Sequence, residues 1–203
     1  MKSYTDELVP PIISDTPVTV GADFGIRFLA RFLDLIYGYL LAIGTMFFGG
    51  FCLAVLSATG HVSKDWVQHV QQARPIDYVL ALLGFYLYHS FTDGISGTSI
   101  GKLVCGLNVV QMDGRPCSMT GAFKRDLAYY MDGLFFGLVG YESMKKTPLR
   151  QRYGDVWGKT IVVKKADFLP RPKHSTGRLV TGILLGSLAV MAVQLTGLLS
   201  KVL

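Results

Sequence analysis

Charge is scarce in this sequence. Of 203 residues only 17% are charged, against roughly a quarter in an average soluble domain. Half the chain is hydrophobic and the mean hydropathy is +0.39. That shortage argues against a water-exposed globule and for a bilayer environment. The length suits one membrane domain and leaves no room for a large soluble enzyme. Cysteine is scarcer still: Cys52, Cys105 and Cys117 are odd in number and lack ligand spacing, which excludes a disulfide framework and a zinc site. The opening stretch MKSYTDELVPPIISDTPVTVG has no apolar h-region, so no signal peptide is expected. Its prolines and acidic residues predict an extended cytoplasmic segment over residues 1–22. No nucleophile–base set, metal cluster or cofactor loop stands out, so the chain reads as a non-enzyme without metal or cofactor.

What charge there is lies unevenly. The net charge is +6 and the isoelectric point about 9.2. Residues 93–126 hold four basic residues and residues 144–178 hold ten. These basic stretches sit between apolar segments, which points to a cytoplasmic membrane surface with anionic headgroups as partners, and not to nucleic acid.

Four apolar segments are present, at about 26–58, 76–93, 121–146 and from Arg178 to the C-terminus. The first exceeds the ~20 residues a span needs, which predicts a tilt or a bend near Gly49-Gly50. The third is interrupted by Asp132, Gly133, Gly137 and Gly140. Between the second and third, Leu103, Cys105, Leu107 and Val109 alternate with their neighbours, the period of a strand with one covered face. Asp113-Gly114 predicts a two-residue turn closing a β-hairpin over 103–118, with Val110 opposite Cys117. Pro116 restricts the return strand to an edge or a very short run. GKTIVVKK predicts a further strand over 159–165 that pairs with the hairpin.

Four full spans would put the two basic stretches, and their strands, on opposite sides. The fold class expected is therefore an all-α membrane bundle of three spans plus a broken or re-entrant helical hairpin turning near Gly137 to Gly140. A small cytoplasmic three-strand element completes it, and residues 167–203 form a linker and a C-terminal transmembrane helix. Four plain spans is the alternative. The N-terminus is expected inside, in a bacterial plasma membrane.

On a helix, residues seven apart nearly eclipse, so Arg27 and Asp34 share a face with Arg31 between them. Gly38, Ala42, Thr45, Gly49 and Cys52 continue that narrow polar or small stripe, while Phe32, Leu35, Leu40, Phe47 and Phe48 point elsewhere. Charges in lipid cost roughly 2.5–3.5 kcal/mol each at mid-bilayer, so the stripe must look inward. The spacing recurs: RFLARFLD holds Arg27, Ala30 and Asp34, and RDLAYYMD holds Arg125, Ala128 and Asp132. The recurrence is either coincidence or a pair of equivalent helix entries, each arginine neutralising the opposite aspartate, as internal repeats do at some transport sites.

Other motifs have plainer readings. GTSIGK (Gly97 to Lys102) is one residue short of a phosphate loop, and Leu103 follows the lysine where Ser or Thr is required; a turn feeding the strand is expected. His89 and Asp93, four apart, are secondary candidates for a proton path or solvated interface residues. Gly182 and Gly186 form G-x-x-x-G, which serves either packing inside the chain or a homodimer seam. Arg150 and Arg152 offer partners for Asp155.

Together RFLARFLD, GTSIGKLVCGLNVVQMDGRPCSM, RDLAYYMDGL and RQRYGDVWGKTIVV make the stretch from Gly21 to Lys165 similar to the RDD family of membrane proteins, named for one arginine and two aspartates. The resemblance matches the family's arginine to Arg27, its mid-helix aspartate to Asp34, and its later acidic positions to Asp132 and Asp155. Arg31 departs from a usually apolar position, and the final apolar segment lies outside the shared region. For this family ligand transport has been suggested, with cation/proton antiport attributed to some members. The resemblance thus implies a small transporter or transporter-like protein with Arg27, Asp34, Asp132 and Asp155 as candidate substrate or ion ligands; the charged stripe and its recurrence add Arg31 and Arg125, and the short chain leads to an expected homodimer or larger membrane complex. The alternative is a non-transporting scaffold that docks a partner through its basic face.

Overall fold

The structure is a computed structural model that describes residues 20–72, 74–166 and 176–199. The segment before residue 20 and the linker at 167–175 lie outside the described residues.

Helix α1 (Phe24–Ala58, 35 residues) runs unbroken through Gly49-Gly50. At 1.5 Å per residue it is about 52 Å long, well over the ~30 Å of a hydrocarbon core. Its burial is inverted relative to a soluble helix. Arg27, Ala30, Asp34 and Leu53 are hidden, while Phe28, Phe32, Leu35, Leu40, Phe47 and Phe48 are exposed. The inward stripe therefore holds through Gly38, which meets the Phe85 ring, whereas a side chain at Gly49 would meet nothing within 4 Å.

Helix α2 (Lys64–Gln71) links to α3 (Pro75–Ser96). Proline at the first helical position lacks only an N–H that would be orphaned anyway, and the Arg74 backbone N–H is held by the Asp77 carboxylate at 2.8 Å. Helix α3 packs along α8 (Thr176–Leu199) through small residues on both sides. A Cβ at Gly84 would lie 3.4 Å from Val190 Cα, and one at Gly186 would lie 3.0 Å from the Tyr88 carbonyl oxygen. Gly182 sits against Ser96 in the same way. The G-x-x-x-G face is thus buried inside the chain, on α3, and does not form a free seam. Helices α1 and α8 are long and apolar enough, by length and composition, to cross a membrane.

Residues 100–104 are helical, not the start of a strand: α4 (Ile100–Val104) follows Ser99 and ends before Gly106, whose φ is +66°. The apparent alternation from Leu103 to Val109 straddles this helix and β1 (Leu107–Gln111). After the hairpin come α5 (Met119–Asp132), capped by Ser118 Oγ accepting from the Gly121 N–H at 3.1 Å, then α6 (Leu134–Lys146), α7 (Tyr153–Trp157) and β2 (Thr160–Lys164). The break in the third apolar segment falls at Gly133, before the expected Gly137–Gly140, and Gly137 enters the left-handed region at φ +89°.

Strands β1 and β2 pair antiparallel with Val109 opposite Val162. The sheet has two strands; the third shrinks to a single bridge, Val110 to Pro116, so the register lies one residue from that expected opposite Cys117. A three-residue loop with Gly114 at φ +80° replaces the two-residue turn. Both sheet faces are covered. Leu107, Val109 and Val162 pack with Ala22, Ala30, Cys117 and Ala122, while Val110, Ile161 and Val163 pack with Leu149.

The recurring motif is a structural repeat. Arg27 and Asp34 in α1 correspond to Arg125 and Asp132 in α5; Gly101 and Val109 correspond to Gly154 and Val162. The equivalent valines are the ones that pair across the sheet, as two-fold pseudosymmetry requires. Further signs agree. Gly106 and its counterpart Lys159 are both left-handed, at φ +66° and +52°. The Lys165 N–H bonds the Gly106 oxygen at 2.8 Å, and the Met112 N–H bonds the Lys159 oxygen at 3.2 Å. In each half a long helix receives a short helix, α4 on α1 and α7 on α5. The α5–α6 pair is then a shortened copy of the α1–α3 excursion, and it returns to the sheet.

Candidate functional site

The short-helix starts are where the charges meet. In the first half the Gly101 N–H donates to Asp34 Oδ1 at 2.7 Å and Ser99 Oγ donates to Asp34 Oδ2 at 2.6 Å. Only glycine permits this approach, because a Cβ at 101 would overlap the Ala30 carbonyl oxygen. GTSIGK therefore cradles an anion after all, and that anion is the chain's own Asp34 carboxylate. In the second half the Gly154 N–H donates to Asp132 Oδ2 at 3.0 Å, and a Cβ at 154 would lie 2.5 Å from the Arg125 oxygen. Here the two-fold breaks: the place of Ser99 is taken by Arg152, no hydroxyl reaches the carboxylate, and Asp132 Oδ1 has no hydrogen-bond partner although the residue is 2% exposed.

Behind these docks runs a chain of alternating charge. Lys102 Nζ donates to both Asp93 oxygens at 2.6 Å, and Arg125 Nη2 donates to Asp93 Oδ2 at 2.6 Å. Arg125 Nη1 reaches Asp155 Oδ1 at 3.5 Å, and Arg27 Nη1 donates to Asp155 Oδ2 at 2.6 Å. Arg27 also donates to the carbonyls of Ala22 and Val162, which ties α1 to the sheet. The exchange expected between the repeats, Arg27 with Asp132 and Arg125 with Asp34, is absent; each arginine takes an aspartate from a different element. Asp126 joins the edge of the network, 3.4 Å from Ser90 Oγ and 3.9 Å from Arg125 Nε. Burial alone would push the Asp155 carboxyl up, but Arg27, Arg152 and Arg125 bring it down to about 2. Burial pulls the Lys102 ammonium below its ordinary range, against the resistance of Asp93.

The sequence-predicted residues thus fall into two groups. Arg27, Asp34, Arg125 and Asp155 are paired or fully hydrogen-bonded, and Asp93, a secondary candidate, is a hub. His89 is fully buried with Nδ1 3.9 Å from Asp34 Oδ2 and rings of Phe85 and Tyr88 beside it. Arg31 and Asp132 instead line a cavity of about 120 Å³ together with Phe28, Tyr129 and Arg152. The Arg31 guanidinium lies 3.8 Å from the Tyr129 ring centre and 4.7 Å from that of Phe85. Arg31 and Tyr129 are repeat counterparts, so this contact marks the pseudo-two-fold. Lys102, Asp126 and Arg152 were missed as site residues. The signal for Arg152 as a pocket residue was its alignment with Ser99 over the stretch RYGDVWGKTIVV; of the two arginines read as partners of Asp155, Arg152 approaches it at 3.9 Å, whereas Arg150 pairs with Asp23.

No curated protein and no solved structure matches this chain. The sequence model of the RDD family matches residues 21–159, which take in both long helices of the repeat and both docked aspartates and end just before β2. The chain belongs to the RDD family, a membrane-associated family.

Proposed function

We propose that this protein is a small transporter-like membrane protein that binds and moves an ion or small solute at the Arg31–Asp132–Arg152 pocket. The observation that carries this reading is the broken symmetry at Asp132. The Asp34 copy is closed by a hydroxyl and a backbone N–H, whereas the Asp132 copy keeps an open carboxylate oxygen beside two guanidinium groups and a cavity. Buried polar groups without partners are rare and need a reason, and a ligand supplies one. In this reading α1, α3 and α8 cross the bilayer, and α5–α6 dips in and returns. The basic segments support a reading with the sheet and the N-terminus inside, anionic headgroups being the partners of the basic stretch 144–178.

The test is flux in proteoliposomes, read with pH- and potential-sensitive dyes over a panel of ions. Wild type is expected to exceed empty vesicles, Asp132→Asn to fall to the empty level while folded, and Asp34→Asn to lose folded protein instead of flux per folded molecule. Wild-type flux equal to that of empty vesicles across the panel would leave the scaffold reading, which the fully bonded Asp34 supports.

A further inference from the structure

The pocket's chemistry narrows its ligand, on the premise that the solute reading above holds. Among the described residues, Arg31 makes no hydrogen bond or ion pair, and its Nε is buried without an acceptor. Arg152 is only loosely held: its Nε stands 3.9 Å from Asp155, an ion pair, and its guanidinium makes no hydrogen bond. Both guanidiniums lie against one ring, that of Tyr129, Arg31 at 3.8 Å and Arg152 at 5.3 Å. The third arginine in the wall, Arg27, is occupied by Asp155. Two unfilled donor forks facing one cavity call for an anion with several oxygens, which a phosphate supplies better than a carboxylate.

A bare anion leaves a problem. It would stand beside the Asp132 carboxylate, whose Oδ1 lacks a donor. A ligand whose anion carries a short arm ending in an N–H donor resolves both needs at once, with phosphate oxygens on Arg31 and Arg152 and the ammonium on Asp132. As a free monoester the phosphate brings two negative charges to the two guanidiniums; as a lipid phosphodiester it brings one, shared between them, and in both the ammonium answers Asp132. The cavity of about 120 Å³ is several times the ~10–15 Å³ of probe-occupied volume that one water needs, which admits a phosphate with a short arm. Its wall comes from the first two turns of α1 and from the α5–α6 break, where Phe28, Leu134, Phe135 and Leu138 are exposed. That exposed apolar rim suits a pocket reached from lipid.

We infer that the Arg31–Asp132–Arg152 pocket recognises a phosphate ester bearing a primary ammonium, the phosphoethanolamine group, whether free or as a phospholipid headgroup. The first arm of the test is calorimetric titration of the purified full chain in maltoside micelles with phosphoethanolamine, phosphocholine and inorganic phosphate. Phosphoethanolamine should bind at least tenfold tighter than either of the others. Arg152→Gln should weaken all phosphate compounds tenfold or more, with partial recovery in Arg152→Lys. Asp132→Asn should abolish the preference for phosphoethanolamine while inorganic phosphate still binds. Gel filtration checks folding, and Arg31→Gln replaces Arg152→Gln if the latter does not fold.

The second arm measures which lipid is retained from mixed phosphatidylethanolamine–phosphatidylcholine nanodiscs. Selective retention of phosphatidylethanolamine identifies the headgroup source, and binding of the soluble ester alone identifies the free one. Equal affinity for phosphoethanolamine and phosphocholine, or binding unchanged in Arg152→Gln, overturns the inference. If inorganic phosphate binds in an Arg152-dependent way without that preference, only the ligand class fails. If nothing binds and no flux is seen, the solute pocket fails with it.

Discussion

Replacing Asp155 by asparagine removes one charge and leaves the shape of the site unchanged. Asp155 is fully buried and holds Arg27 at 2.6 Å and Arg125 at 3.5 Å, and it accepts the Arg152 backbone N–H at 3.2 Å. Its carboxyl stands at about 2 instead of 3.8, a difference worth about 2 kcal/mol at about 1.4 kcal/mol per unit. The substitution does more than forfeit that, because it strands a buried guanidinium, and removing one partner of a buried pair costs about 3–5 kcal/mol. Total stability of a domain is about 5–15 kcal/mol, so the variant should approach unfolding. Arg27→Gln should cost less, since Asp155 keeps Arg125 and the Arg152 N–H. Denaturant unfolding in micelles can be followed by Trp157, two residues from the substitution, in a Trp66→Phe background. A loss below about 1 kcal/mol for Asp155→Asn would refute the reasoning, because it would mean that water solvates these guanidiniums.

Further outcomes follow from the same geometry. Asp155 has a folded pKa below its unfolded value, so its contribution is complete above about pH 4 and fades as pH falls toward 2; an acid titration of wild type should show that loss and Asp155→Asn should lack it. Gly101→Ala should separate α4 from α1, since the added methyl overlaps the Ala30 carbonyl, and should cut the yield of monodisperse protein sharply in gel filtration. Gly186→Val should open the α3–α8 seam against Tyr88, lowering the unfolding midpoint by several degrees, while Gly25→Ala, where a side chain meets nothing within 4 Å, should leave it unchanged.

Much of the fold was legible where local periodicity carried it. The stripe of Arg27, Arg31 and Asp34 gave the buried face of α1 because seven-residue spacing is a property of one helix. The return of the third segment followed from two basic stretches and two strand patterns that had to share a side. Partners across the chain were not legible. Arg27 meets Asp155 across 128 positions, and nothing in the local pattern ranks Asp155 above Asp132. The residues from Leu103 to Val109 misled because one helical turn and a strand, joined by a left-handed Gly106, together imitate alternation. The pocket escaped for a related reason. It arises from a difference between two weakly similar segments, Ser99 against Arg152, and that difference acquires meaning only when both are seen docked on equivalent helices.

The division between a locked network and a pocket lined by loosely held charges is tested most directly by unfolding Arg125→Gln and Arg152→Gln side by side in the same micelles. Arg125 holds Asp93 at 2.6 Å and is 2% exposed, so its loss should cost about 3–5 kcal/mol. The Arg152 guanidinium makes no hydrogen bond and meets Asp155 only at 3.9 Å from a partly exposed position, so its loss should cost far less, about 1 kcal/mol. Equal, large destabilisation by both substitutions would contradict the account.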